Sequence, residues 1–174
     1  MSHAAPSTGL FLVSSLQPIE VLIVESNPVD ALRTMTAFRA AGLSSGMHCV
    51  RAGDDALNYL RREGPYKQAH IPDLIFLDLA EPRVSGLLAL RMIRSTPALM
   101  HIPVVVAADA EDPGFVQAVY SSHANGFIRK PAGLMQFLRC IKACYDYWAE
   151  AVSLERQYQA ARRQTAQPLP ETIM

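Results

Sequence analysis

Short blocks of consecutive apolar residues alternate along this chain with longer stretches whose apolar residues recur every three or four positions. "VLIV" (21–24) has four apolar residues in a row, the pattern of a strand buried on both faces. "PVDALRTMTAFRAAG" then predicts a helix, with Asn27 as its N-cap, Pro28 at its first position and Gly42 placed to stop it. "MHCVRA" (47–52) is a second short strand. Asp54 is expected to cap the next helix, "DALNYLRREG", which turns Leu57, Tyr59 and Leu60 inward and ends at Gly64-Pro65. The alternation continues with strands "DLIFLDL" (73–79), "IPVVVAA" (102–108) and "GFIRKP" (126–131), and helices "GLLALRMIRS" (86–95) and "PGFVQAVYSSHA" (113–124). One long helical stretch closes the pattern, from about Ala132 to Arg163. A polar leader precedes Pro18, and a loose tail with Pro168 and Pro170 follows Gln164.

Strands that alternate with helices pair in parallel, with right-handed crossovers that cover both sheet faces. Five such units predict an α/β, flavodoxin-like, doubly wound five-stranded parallel sheet, (βα)5, with an extended C-terminal helix. The expected division is a leader over 1–18, the domain over 19–148 and a helical extension with tail over 149–174. In such sheets the functional crevice lies beyond the carboxyl ends of the strands. The residues just past each apolar run are Glu25 and Ser26, Asp78, Ala108 and Asp109, and Lys130-Pro131. Two carboxylates and an ammonium therefore converge on one crevice, and buried charges are costly unless they pair or bind an ion. Taken singly, Glu25 could serve only the positive end of the following helix, and Lys130 could be an ordinary surface lysine. Asp78, ending an apolar strand, is the hardest of the three to assign to packing.

Composition narrows the function. Sixteen Lys and Arg balance sixteen Asp and Glu, so there is no basic excess for nucleic acid. No apolar run approaches the roughly 20 residues that span a bilayer, and no basic segment precedes the apolar residues of the leader. Cys49, Cys140 and Cys144 lie in apolar settings without C-x-x-C spacing and read as reduced core thiols, and the five histidines form no ligand pair. The expectation is a cytoplasmic protein with no nucleic-acid or membrane partner.

"VLIVESNPVDA", "YLRREGPY", "PDLIFLDLAEPRVSG", "IPVVV" and "ANGFIRKP", with "DYW" in the helix that follows, agree in residue type and spacing with one family. Over residues 19 to 148 the chain resembles the receiver domain of bacterial two-component response regulators, above all the stand-alone receivers that accompany bacteriophytochromes. The resemblance implies a non-enzymatic signalling protein that takes a phosphoryl group from a sensor histidine kinase, a bacteriophytochrome among the candidates. It makes Asp78 the phosphoacceptor and Lys130 its salt-bridge partner. Glu25 becomes the first of an acidic pair that, with Asp78, holds Mg2+, and Phe127 the switch aromatic. A carboxylate attacking a phosphohistidine passes through a loose transition state, so the protein mainly positions groups and neutralises charge.

Three positions depart from that pattern. Ser26 stands where the family has a metal-binding aspartate, Ala108 where it has a switch threonine or serine, and Asp109 where it keeps a small residue. A hydroxyl in place of a carboxylate removes a full negative charge from a hard-cation site, so Mg2+ is expected to bind weakly or not at all. Asp109 would repel an arriving phosphoryl group if it pointed inward, and would matter little facing solvent. The departures leave two readings, weakened phosphotransfer or a pseudo-receiver that works without phosphorylation. A flavodoxin-type cofactor binder is disfavoured, because "ESNPVD" offers no glycine- or Ser/Thr-rich phosphate cradle.

In the last helix, Leu134, Leu138, Ile141, Tyr145, Trp148 and Val152 recur in steps of four and three. A helix reaching Arg163 would be about 45–50 Å long, whereas a central strand spans about 17–20 Å. Tyr145, Tyr147, Trp148, Val152 and Leu154 are therefore expected to need another surface, with a homodimer through Tyr145, Trp148 and Val152 as the leading reading. The alternative is a helix that breaks near Glu150 and folds back. No separate output domain is expected, which leaves protein–protein contact or onward phosphotransfer as the output.

Overall fold

The computed structural model describes residues 18–44, 46–79, 83–109 and 112–165, so the leader before Pro18 and the tail beyond Thr165 lie outside the described residues. The elements are β1 (Val21–Val24), α1 (Pro28–Ala41), β2 (Met47–Val50), α2 (Gly53–Arg61), β3 (Leu74–Asp78), α3 (Arg83–Ser95), β4 (Val104–Ala108), α4 (Pro113–Ser121), β5 (Gly126–Arg129) and α5 (Leu134–Thr165), with a 3-10 turn over Gly64–Tyr66 after α2. All strand pairs are parallel, in the order β2-β1-β3-β4-β5. This is the doubly wound sheet expected from the alternation.

The three central strands are apolar because both of their faces are covered. Leu22, Val24, Ile75, Leu77, Val104 and Val106 meet Leu57, Leu60, Leu90, Ile93, Phe115 and Val119 in one layer. Val21, Ile23, Phe76, Val105 and Ala107 meet Phe38 of α1 and Phe137, Ile141 and Tyr145 of α5 in the other. Phe38 meets Phe76 edge to face at 5.4 Å.

Helix starts and stops follow local chemistry. Asn27 caps α1 by accepting the Val29 N–H at 2.9 Å, and Gly42 ends it at φ 114°, in the left-handed region that favours glycine. α2 departs from expectation: its N-cap is Ala52, which offers no side-chain acceptor, and Asp54 lies in the first turn with Asp55. There both carboxylates favour the positive end of the helix rather than cap it. The cysteines also differ from the core thiols expected. Cys49 is exposed on edge strand β2, while Cys140 and Cys144 are half-buried on α5, where burial pushes the Cys144 thiol up to about 12. Among the described residues, no helix is long and apolar enough to cross a membrane.

α5 is one unbroken helix of 32 residues, about 48 Å at 1.5 Å per residue, with no break at Glu150. Its overhang is not left bare in the way the spacing suggested. Tyr145 and Val152 are each only 9% exposed, and Ala149 is fully buried. They belong to the same cluster as Ile19 and Leu43, so they need no second surface. The covering residues come from the chain entering β1 and leaving α1, which extend the domain past the foot of its sheet. Further along, Arg156 Nη2 binds Asp73 Oδ2 at 2.7 Å and Nη1 donates to the Pro18 carbonyl at 3.5 Å. Trp148 is half-buried against that layer, and the exposed residues are instead Tyr147, Leu154 and Tyr158, at 65%, 60% and 63%.

Candidate functional site

The site sits at the carboxyl ends of β1, β3, β4 and β5, where the chain order reverses between β1 and β3. Glu25 directly follows β1, Asp78 is the last residue of β3, Ala108 ends β4 and Lys130 directly follows β5. Main-chain bonds hold these ends in register: Glu25 N–H donates to Val50 O and Lys130 N–H to Ala108 O, both at 2.9 Å.

Side chains converge as the sequence predicted for Glu25, Asp78 and Lys130. The Lys130 ammonium forms an ion pair with Asp78 Oδ2 and lies 3.3 Å from Glu25 Oε2. All three side chains are almost fully removed from solvent. Glu25 Oε1 accepts the Asn27 N–H at 2.8 Å, which fixes its carboxylate over the start of α1. Lys130 also lies 3.9 Å from Asp30 Oδ2. Asp30 had no role in the sequence pattern, because an acid in the first turn of a helix is accounted for locally. Arg33, one turn later, was likewise missed: Nη2 donates to Pro131 O at 3.0 Å, and its guanidinium lies 4.4 Å from the centre of the Phe137 ring.

Two buried carboxylates share one ammonium, and a third stands at the rim. The Asp78 carboxyl is pushed up to about 8, first by burial and then by hydrogen bonding with Glu25, against the pull of Lys130. For Glu25, burial alone would raise the pKa. Hydrogen bonds with Asp78 and the Asn27 N–H, together with the Lys130 charge, outweigh it and leave the group lowered. Lys130 is raised, because Asp78, Glu25 and Asp30 outweigh the cost of its burial. Burial and the neighbouring Glu25 therefore favour the protonated form of Asp78 more than in an isolated carboxyl, while Lys130 favours the ionised form.

The remaining predicted residues frame this cluster. Ala108 is buried and presents a methyl group where the resemblance expects a hydroxyl. Ser26 is exposed, and Asp109 is exposed too, which places it on the solvent side of the two alternatives. Phe127 is half-buried on β5, 6.3 Å edge-on from Phe115 of α4.

A divalent cation can be tested against these groups. Among the described residues, no three or more His, Cys, Asp and Glu side chains converge as a ligand set. Asp78 Oδ1 is nevertheless buried and finds no donor among the described residues, and the Glu25 carboxylate lies beside it. One or two carboxylates with waters and phosphoryl oxygens suffice for Mg2+, so Asp78 and Glu25 fit such an ion, with no third acid where Ser26 stands.

Comparison with known proteins agrees with this geometry. The family model described as "Response regulator receiver domain" matches residues 21–142. The response regulator Rcp1 of Synechocystis sp. is 28% identical over 137 residues, covering 79% of this chain and 93% of Rcp1. Its Mn(2+)-bound form superposes with a TM-score of 0.69 over 76% of this chain and 96% of that one. The phosphorylated cyanobacterial phytochrome response regulator RcpA superposes at 0.70 with 34% identity, covering 76% of this chain and 94% of that chain. The bacteriophytochrome response regulator RtBRR gives 0.61 with 34% identity over 72% and 76%. With strand order, strand-end carboxylates and lysine in place, the chain belongs to the response regulator receiver domain family of two-component signalling.

Proposed function

We propose that this receiver accepts a phosphoryl group on Asp78 from a sensor histidine kinase of the phytochrome-linked kind and signals through protein contacts, with chemistry weakened at Ser26 and Ala108. The observation that carries the reading is the buried contact of Lys130 with Asp78 and Glu25. Asp78 Oδ1, once deprotonated, forms the new O–P bond while the N–P bond of the donor phosphohistidine breaks and the imidazole leaves. Lys130, a compact charge already in place, offsets negative charge on the phosphoryl oxygens. Asp78 and Glu25 would hold Mg2+, which supplies further charge neutralisation when bound. The Ala108 methyl donates nothing to the phosphoryl group. A charge-assisted hydrogen bond is worth about 1.5–3 kcal/mol, so its absence corresponds to roughly ten- to hundredfold slower transfer.

The second reading, a receiver acting without phosphorylation, draws on the same two substitutions. Mg2+-dependent labelling by acetyl phosphate or a phosphorylated kinase separates the two. Label incorporated by the wild type and lost in Asp78→Asn supports phosphotransfer. No label, with partner binding equal in both proteins, supports the pseudo-receiver. Ser26→Asp with Ala108→Thr is expected to raise both Mg2+ affinity and labelling rate.

We also propose a homodimer through α5, now on its exposed side. Tyr147, Ala151, Leu154 and Tyr158 follow steps of four, three and four, the seam spacing of a coiled coil. Leu154→Asp is expected to lower the sedimentation coefficient to that of a monomer; a variant that sediments as the wild type does would remove this face.

A further inference from the structure

Lys130 ties the two carboxylates of the cluster together, yet the chain that carries it is thinly supported. Its N–H still bonds to β4, at Ala108 O, but Pro131 has no N–H with which to continue. Ala132 to Gln136 are all exposed, and a side chain added at Gly133 would meet nothing within 4 Å. The first buried residue of α5 is Phe137. Lysine carries its charge on a flexible four-carbon stem, so a root free to shift would let the ammonium wander.

One residue of another helix spans this turn. Arg33 of α1 donates through Nη2 to Pro131 O at 3.0 Å, and its guanidinium carbon lies 4.4 Å from the centre of the Phe137 ring. It thus meets both ends of the exposed stretch, the carbonyl just after Lys130 and the aromatic at which α5 enters the core. A planar, permanently charged guanidinium suits both contacts, donating in its plane while its face lies on a ring. Asp30, one turn earlier on α1, stands 3.9 Å from the Lys130 ammonium. The start of the same helix also fixes Glu25, whose Oε1 accepts the Asn27 N–H at 2.8 Å. α1 therefore holds one carboxylate of the cluster and, through Arg33, the root of its lysine.

We infer that Arg33 is a positioning residue: by holding Pro131 O it keeps Lys130 aimed at Asp78 and Glu25, and through Lys130 it governs how fast Asp78 is phosphorylated. The effect on rate rests on the phosphotransfer proposed above. Arg33 acts through Lys130 rather than on the reacting atoms. Misplacing a group by about 1 Å can cost about a hundredfold in rate, so a loosened lysine root is enough to slow transfer.

In the full chain, with Mg2+ and saturating acetyl phosphate, Arg33→Met should lower the maximal labelling rate about ten- to hundredfold. Arg33→Lys, which keeps a donor and the charge, should recover part of that loss. Arg39→Met, at an exposed position on the same helix, should label as the wild type does. Two further readouts need no phosphoryl group. In Arg33→Met, hydrogen exchange of the Lys130 amide should quicken while the amides of β1 and β3 keep their wild-type rates. Acetic anhydride should modify the Lys130 amine, whose side chain is 6% exposed in the wild type, several-fold faster in that variant. Wild-type labelling by Arg33→Met would overturn the proposal, as would exchange that quickens equally across the sheet. Unchanged exchange and acylation at Lys130 would overturn it too. A wild type that takes no label would instead remove the phosphotransfer reading, and exchange and acylation would then decide alone whether Arg33 positions Lys130.

Discussion

At the carboxyl ends of the strands, Lys130 meets Asp78 and Glu25 with all three side chains almost wholly out of water. At the foot of the same sheet, Arg156 meets Asp73 at 2.7 Å, with the arginine side chain 43% exposed. Both are ion pairs between an acid beside a strand and a base from a later part of the chain. What separates them is solvent. Water screens the foot pair and solvates either partner if the other is lost, whereas at the top each charge depends on its neighbours alone. The foot pair is cheap and serves to hold a helix; the top cluster is costly and fits a group kept ready for reaction.

Three substitutions put that contrast at risk. The largest effect is expected from Lys130→Met, which leaves two buried carboxylates with no cation. It should cost about 3–5 kcal/mol of stability at about pH 9, and much less at about pH 5, where Asp78 takes up a proton. Urea unfolding at the two pH values measures this, and an equal cost at both would contradict a charge-based origin.

Asp78→Asn should act in the opposite direction. The native carboxyl titrates near 8 against 3.8 for an ordinary aspartic acid, so the folded state binds more protons than the unfolded one across that interval. Stability therefore falls as pH rises from about 4 to about 8, and asparagine removes that fall. The variant should match the wild type at the acid end and gain on it toward the alkaline end, by at most about 1.4 kcal/mol per pH unit. Glu25, lowered, loses its contribution only as pH drops below the ordinary carboxylate range, and Lys130, raised, only above the ordinary lysine range, so neither reverses the trend. A constant gain at all pH values would assign the effect to packing.

The smallest effect belongs to Arg156→Ala, about 1 kcal/mol or less by thermal unfolding, reduced further by salt. A loss comparable to that of Lys130→Met would mean that the two ends are not so different.

How much of the molecule is legible in its sequence follows from what each residue answers to. The strands are legible because parallel strands covered on both faces must be apolar throughout, and runs such as "VLIV" and "LIFLD" with helical stretches between them suit little else. Asp78, Glu25 and Lys130 are legible because each interrupts or ends such a run. Asp30 is not, since its helix position already accounts for it. The burial of Tyr145 and Val152 is hidden for a different reason. The four-three spacing of α5 describes a stripe but not its partner, and the residues that cover it, Ile19 and Leu43, lie roughly 100 positions earlier, outside the regular elements. The start of α2 is misread because Ala52 caps without a side-chain acceptor, leaving Asp54 as the nearest familiar signal.

The pairing of α1 with α5 also bears on how the chain is made. Phe38 and Phe76 belong to a layer that Phe137, Ile141 and Tyr145 complete. A chain emerging from the ribosome can assemble all five strands and still have this sheet face covered by α1 alone, because α5 follows every strand of the domain in the chain. Closing that layer joins segments about 100 residues apart, a loop whose entropy grows only slowly with length but whose contacts come late. Until then the aromatic face is open to other chains, so nascent or truncated forms are the species at greatest risk of aggregation. α5 thus sets the moment at which synthesis yields a closed domain.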